Sequence, residues 1–135
     1  MNCVIAYDLR QRGYDVIAKS RVECNVSKKA TELWKNVEEK TANSFQELLE
    51  VIDKNVDARY FLGLKFPNGD GHAVILKVEK KQVSILDPQR NTIYEVEMLQ
   101  QKAFALLQVS YWRIDNLEVT QTGYNACKGG TNYDI

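Results

Sequence analysis

Gly71-His72-Ala73-Val74-Ile75-Leu76-Lys77-Val78-Glu79-Lys80-Lys81-Gln82-Val83-Ser84-Ile85-Leu86-Asp87-Pro88 is the stretch on which the fold turns. Its apolar residues recur with a period near two, the spacing of a half-buried strand, and the charged run in the middle marks a tight turn. Residues 72–78 and 82–87 are therefore predicted to form an antiparallel hairpin. On the first strand His72, Val74, Leu76 and Val78 share one face; on the second, Val83, Ile85 and Asp87 do. Superposing the two apolar faces leaves two registers. A turn at Glu79-Lys80 sets His72 directly opposite Asp87. A turn at Lys80-Lys81 sets it opposite Gln89, with Asp87 as its diagonal neighbour. Directly opposed Cβ atoms lie about 4.5–5.5 Å apart and diagonal ones about 7–8 Å, so either register lets the imidazole meet the carboxylate. An acid closing an apolar strand needs such a partner, and Pro88 stops the ladder just beyond it.

Upstream of the hairpin the period is helical. Residues 2–12 read as a helix with Val4, Ile5, Tyr7 and Leu9 as its apolar positions, Asn2 as an acceptable N-cap and Gly13 just past its end. A short strand over 14–18 and a weakly periodic helix over 27–39 follow. Ser44-Phe45-Gln46-Glu47 is a capping box that opens a further helix, fading near Asn55. Residues 59–66 read as a strand and Pro67-Asn68-Gly69-Asp70-Gly71 as a loop. Beyond the hairpin come a turn at Arg90-Asn91, a strand over 92–96, a short helix over 98–107 and a last strand over 111–114. Residues 128–135 read as a flexible tail. Helices followed by an antiparallel meander make the expected class α+β rather than alternating βαβ.

The 135 residues suffice for one domain, and no repeat, linker or low-complexity run divides them. Eighteen basic side chains balance 18 acidic ones, which disfavours a nucleic-acid binder built on phosphate contacts. No apolar run approaches the length of a membrane span, and no secretory signal precedes Cys3. Three cysteines, Cys3, Cys24 and Cys127, without C-x-x-C spacing fit neither a disulfide framework nor a zinc site.

Thiol chemistry needs a thiolate, a base and a group that orients the base. Cys3 opens a helix, where unpaired N–H groups favour an anion. His72 is the sole histidine, and Gly69-Asp70-Gly71 before it keeps bulky side chains away from an approaching substrate. Asp87 is placed to hold it. Singly each residue has an ordinary explanation: a packed thiol, a satisfied imidazole, a turn acid. Together they form a candidate catalytic triad. Cys24 and Cys127 are read as structural, Trp34, Trp112, Tyr60 and Tyr111 as core or rim, and Asp8 as solvent-facing.

Asn2-Cys3-Val4 with Ala6-Tyr7-Asp8-Leu9-Arg10, followed by Arg12-Gly13-Tyr14-Asp15-Val16, resembles the opening of the papain-fold toxin domains of bacterial polymorphic toxin systems, of the glutamine-deamidase type and with phage relatives. Gly71-His72-Ala73 with Leu86-Asp87-Pro88-Gln89 resembles that family's His and Asp-Pro-Gln motifs, and Tyr111-Trp112-Arg113-Ile114-Asp115 its closing Arg-x-Asp strand. The resemblance implies a papain-like core, Cys3 as nucleophile, His72 as base, Asp87 as orienter, and hydrolysis of a glutamine side-chain amide on a target protein. A cysteine peptidase that processes a toxin polyprotein and a catalytically silent interaction module are the alternatives. Papain-like enzymes place an oxyanion-stabilising residue before the Cys, and here only Met1 and Asn2 precede it. This implies an excised C-terminal module of a larger protein, with Asn2, Gln89 and the Cys3 N–H serving the oxyanion. A cognate immunity protein is the implied partner, along with synthesis in a bacterial cytoplasm and delivery into a target cell. No metal or organic cofactor is expected.

Overall fold

Lys80 and Lys81 both hold left-handed backbone, with φ of 51° and 65°. Positive φ at both central residues is the signature of the two-residue hairpin turn that matches the twist of its strands. The computed structural model, which describes residues 2–19, 26–65, 71–90, 92–94 and 108–129, thereby selects the second register: Glu79 faces Gln82, Val78 faces Val83 and Ile75 faces Leu86. Continued by one step, the ladder sets Val74 opposite Asp87, leaving His72 as the diagonal neighbour.

The hairpin is part of an antiparallel six-stranded sheet. Its strands are β2 (Lys40–Ala42), β3 (Ala58–Lys65), β4 (Gly71–Glu79), β5 (Gln82–Asp87), β6 (Thr92–Tyr94) and β7 (Gln108–Arg113), in the order β2-β7-β3-β4-β5-β6. This departs from a simple meander: β7 enters between β2 and β3, and β2 forms where no strand is expected from the sequence. A separate ribbon pairs β1 (Val16–Ala18) with β8 (Cys127–Gly129), so Lys128 and Gly129 belong to a strand rather than to a tail. The expected helix over 98–107 lies outside the described residues. The class is α+β with a mainly antiparallel sheet.

Each helix has a local cause. The first, α1 (Asn2–Gln11), takes in Asn2 itself. It ends where Gly13 reaches φ +102°, with Gly13 N–H donating to Arg10 O and Tyr14 N–H to Leu9 O, the paired closure of a glycine-terminated helix. The next, α2 (Val26–Leu33), stops well short of the expected 27–39. Trp34 bridges to Val119, Lys35 N–H donates to Glu118 O, and Asn36 turns left-handed. In α3 (Phe45–Val51) Ser44 Oγ accepts from Glu47 N–H at 3.1 Å, while the Glu47 carboxylate reaches back to Asn43 N–H at 2.8 Å. A further short helix, α4 (Gln121–Asn125), abuts the end of α2 so closely that a Cβ on Gly123 would lie 2.7 Å from Leu33 O.

Side-chain alternation divides the core in two. Phe61, Ile75 and Trp112 point to one face and pack with Val4, Ile5, Leu9, Leu33 and Trp34 of the α1 and α2 layer. Leu62, Val74, Leu76, Ile85 and Val109 point to the other and pack under Phe45, Leu48 and Leu49 of α3. Phe61 stacks on Trp112 with ring centroids 4.8 Å apart, and Trp34 closes on Phe61 at 5.9 Å.

Asp8, expected at the surface, is fully buried. Its Oδ1 accepts from Arg59 Nη2 at 2.7 Å and its Oδ2 from Trp34 Nε1 at 3.0 Å. Arg12 Nε stands 3.0 Å from Oδ2 as an ionic contact without hydrogen-bond alignment, while another arm of Arg12 donates to Ile114 O. Truncating one partner of a buried charge group leaves the others uncompensated. Asp8→Ala is therefore expected to lower unfolding free energy by about 3–5 kcal/mol, read as a fall in the urea midpoint.

Asp115 carries a partly buried ion pair with Arg113. Burial alone would raise its pKa, but bidentate donation from Arg113 (3.0 and 3.2 Å) and the Arg59 N–H (3.0 Å) together outweigh burial and hold the carboxyl below its ordinary value. A lowered folded-state pKa adds stability that is complete above the unfolded value of about 3.9 and lost as pH falls through the folded one. Asp115→Asn is expected to be less stable than wild type at pH 7. That gap should shrink in urea titrations taken progressively below pH ~4.

Candidate active site

Asp87 ends β5, and the chain turns at once through Pro88. In that turn Gln89 N–H and Arg90 N–H donate to Asp87 Oδ1 at 3.1 and 3.2 Å, the self-bonding habit of an Asp at a turn. This fixes the carboxylate plane and leaves Oδ2 for His72 Nε2, at 2.5 Å. Asp87 is 1% exposed and the His72 side chain 22%. A buried acid is thus fully partnered, and a partly open imidazole is held by it. With Nε2 engaged, Nδ1 is the ring nitrogen left to exchange a proton with an incoming group.

Strand geometry brings this pair together as the second register requires. His72 faces Leu64 of β3, whose side chain packs with the α3-side core, and Asp87 shares the face of Ile85. Arg90, 69% exposed, approaches Asp87 Oδ2 at 4.0 Å. The sequence reading missed this residue, although an Arg three positions after a turn-forming Asp is the signal that points to it. Gln89 is exposed, and its tie to the site is its backbone N–H rather than its amide. The Asn2 side chain lies outside the described residues.

Cys3 stands apart from the hydrogen-bonded pair. It is half-buried in the first turn of α1, in the layer over the sheet face opposite to that of His72. The next residues, Val4, Ile5 and Ala6, share a core cluster that Ala73 and Leu86 pack against. Those two are the chain neighbours of His72 and Asp87. Asp8 and Arg12 fasten the C-terminal half of α1 to Arg59 and to Ile114 O.

The remaining aromatic and thiol expectations sort cleanly. Trp34 and Trp112 are core, Tyr60 and Tyr111 half-buried. Cys127 is buried in the α1-side cluster, and that burial pushes its thiol up to about 11. Cys24 lies outside the described residues. Among the described residues no group of three or more His, Cys, Asp or Glu is placed to hold a metal ion. No protein-family model, curated protein or solved structure matches the chain.

A thiol reacts as its thiolate, so Cys127 should resist iodoacetamide in the native protein at pH 8 while half-exposed Cys3 is alkylated. Peptide mapping after a timed quench reads the ratio, and full denaturation should abolish the difference.

Proposed function

We propose that the chain is a cysteine-dependent amidohydrolase of papain-like architecture, a toxin or effector domain that deamidates a glutamine side chain of a target protein. The observation that carries this reading is the bond from His72 Nε2 to the buried, turn-fixed carboxylate of Asp87. A carboxylate locked onto one ring nitrogen fixes the imidazole's orientation and prepares the other nitrogen to act as base, the arrangement nucleophilic catalysis requires. The family resemblance of the Cys, His and Asp-Pro-Gln segments points the same way.

In this mechanism His72 Nδ1 takes the proton from Cys3 Sγ, and the thiolate attacks the carbonyl carbon of the glutamine amide. The C–N bond then breaks as His72 returns its proton to the leaving nitrogen, releasing ammonia and leaving an acyl-thioester. Water, deprotonated by His72, attacks the thioester, and the thiol is regenerated with glutamate as product. Because α1 covers the sheet face opposite His72, this step requires Cys3 and His72 to be brought together at the edge of the sheet. The Cys3 N–H and Asn2 are the groups assigned to the developing oxyanion, since the Gln89 N–H is already given to Asp87 Oδ1.

Expression of wild type, Cys3→Ala and Asp87→Asn in bacteria and in yeast tests the reading. Wild type should arrest growth in at least one host, Cys3→Ala in neither. Asp87→Asn should retain the fold but lose about 10²–10⁴-fold in rate, as loss of the orienting carboxylate does elsewhere. Target proteins from the arrested host should show the mass gain of an amide-to-acid exchange. A backbone cut would replace deamidase by peptidase. Full growth of the wild-type strain in both hosts, with Cys3 no faster than Cys127 toward iodoacetamide, would leave His72–Asp87 as a structural pin in a silent module.

A further inference from the structure

At the other end of the α3-side face, the end of α3 and strands β2, β3 and β7 enclose a cavity of about 360 Å³. It is separate from the His72–Asp87 pair. Tyr60, on its floor, lies four residues along β3 from Leu64, the residue facing His72, or about 13 Å along the strand. Leu48 and Leu49 of α3 pack on the sheet between the two.

The lining carries both donors and acids. Its sheet side carries hydrogen-bond donors. Tyr60 faces Arg113 across β3 and β7, and Lys40 faces Tyr111 across β2 and β7. Both tyrosines are half-buried, their rings 6.4 Å apart, and among the described residues neither hydroxyl has a hydrogen-bond partner. Burial raises the Tyr60 pKa, which keeps that hydroxyl a donor. Arg113 does not sweep freely, because Asp115 holds Nε and Nη2, and a pre-oriented guanidinium loses little entropy on binding an anion. The rim is acidic, with Glu38 and Asp53, and Val51, Ile52 and Leu117 supply an apolar wall. The volume lies in the range of small-molecule sites, and the lining is mixed, with charged groups outnumbering the aliphatic ones.

We propose that this cavity binds a zwitterionic amino acid with an aliphatic side chain. Its carboxylate rests on Tyr60, Arg113 and Lys40, its ammonium group is directed to Asp53 and Glu38, and its side chain lies against Ile52 and Leu117. Cationic donors and acids close together in one cavity select a ligand carrying both charges. A lone anion leaves the rim acids uncompensated, and a lone cation meets Lys40 and Arg113. The proposal is independent of the reading of Cys3, since none of these residues belongs to that site.

The test is an amide-resolved NMR titration of the full chain with L-leucine, N-acetyl-L-leucine, which lacks the cation, and L-leucinamide, which lacks the anion. L-leucine should give saturable shifts centred on Asp53, Tyr60 and Arg113 and bind at least tenfold more tightly than either half-charged analogue. Tyr60→Phe, which keeps the ring packing, should weaken L-leucine about tenfold. Arg113→Lys, which keeps the charge but not the fixed fork, should also weaken it, and its amide spectrum reports whether the fold survives. No saturable shift at these residues, analogues that bind as well as L-leucine, or unchanged affinity in a folded Tyr60→Phe protein would overturn the proposal.

Discussion

One carboxylate organises the α1 side of the molecule. Asp8 is wholly enclosed, and a buried charge is tolerated only when it is paired and hydrogen-bonded. It meets Arg59 from β3, Trp34 from the exit of α2, and Arg12 from one turn further along its own helix. Because Arg12 also reaches Ile114 O, past the end of β7, four parts of the chain share one small electrostatic cluster. Apolar packing against Phe61, Ile75 and Trp112 is non-directional. Bonds to a single acid are directional. The orientation of α1, and with it the direction in which Cys3 points, follows from that clamp.

The hairpin was readable because period-two alternation is a local signal. So was the α1 terminus, where Gly13 has a mechanical role, and so was the cap formed by Ser44 and Glu47. The choice between the two hairpin registers was not readable: Lys80-Lys81 carries no Gly or Asn to announce a positive-φ turn, so only the assembled sheet decides it. Asp8 misled for a related reason. Its decisive partners, Trp34 and Arg59, stand 26 and 51 residues away. The short edge strand β2 and the entry of β7 between β2 and β3 depend on pairings across the whole chain, which no window of sequence contains.

At the candidate site the division is similar. That His72 and Asp87 meet was legible from alternation alone, and the turn bonds from Gln89 and Arg90 follow from an Asp-Pro sequence. The side of the sheet that α1 covers was not legible, since it depends on which face the first helix buries. Alternation therefore has two consequences here. It joins His72 to Asp87 under the α3 layer, and it turns the neighbouring Ala73 and Leu86 toward α1. The start of β4 is thus shared between the two layers, and a thiol from one and an imidazole from the other can meet only at that edge.

The β1–β8 ribbon bears on the order of assembly. Val16 pairs with Gly129, Ile17 with Lys128 and Ala18 with Cys127, so the flank of α1 is closed by residues made more than a hundred positions later. Closing so long a loop is entropically slow and waits on nearly the whole chain. The β3–β4–β5 hairpins, by contrast, are local and can form early. A ribosome-bound chain would therefore hold the His72–Asp87 pair in place while the α1 layer stayed unsealed. The flank of α1 beside β1 is therefore closed only once β8 has been made, later than the clamp at Asp8 and the hairpin that joins His72 to Asp87.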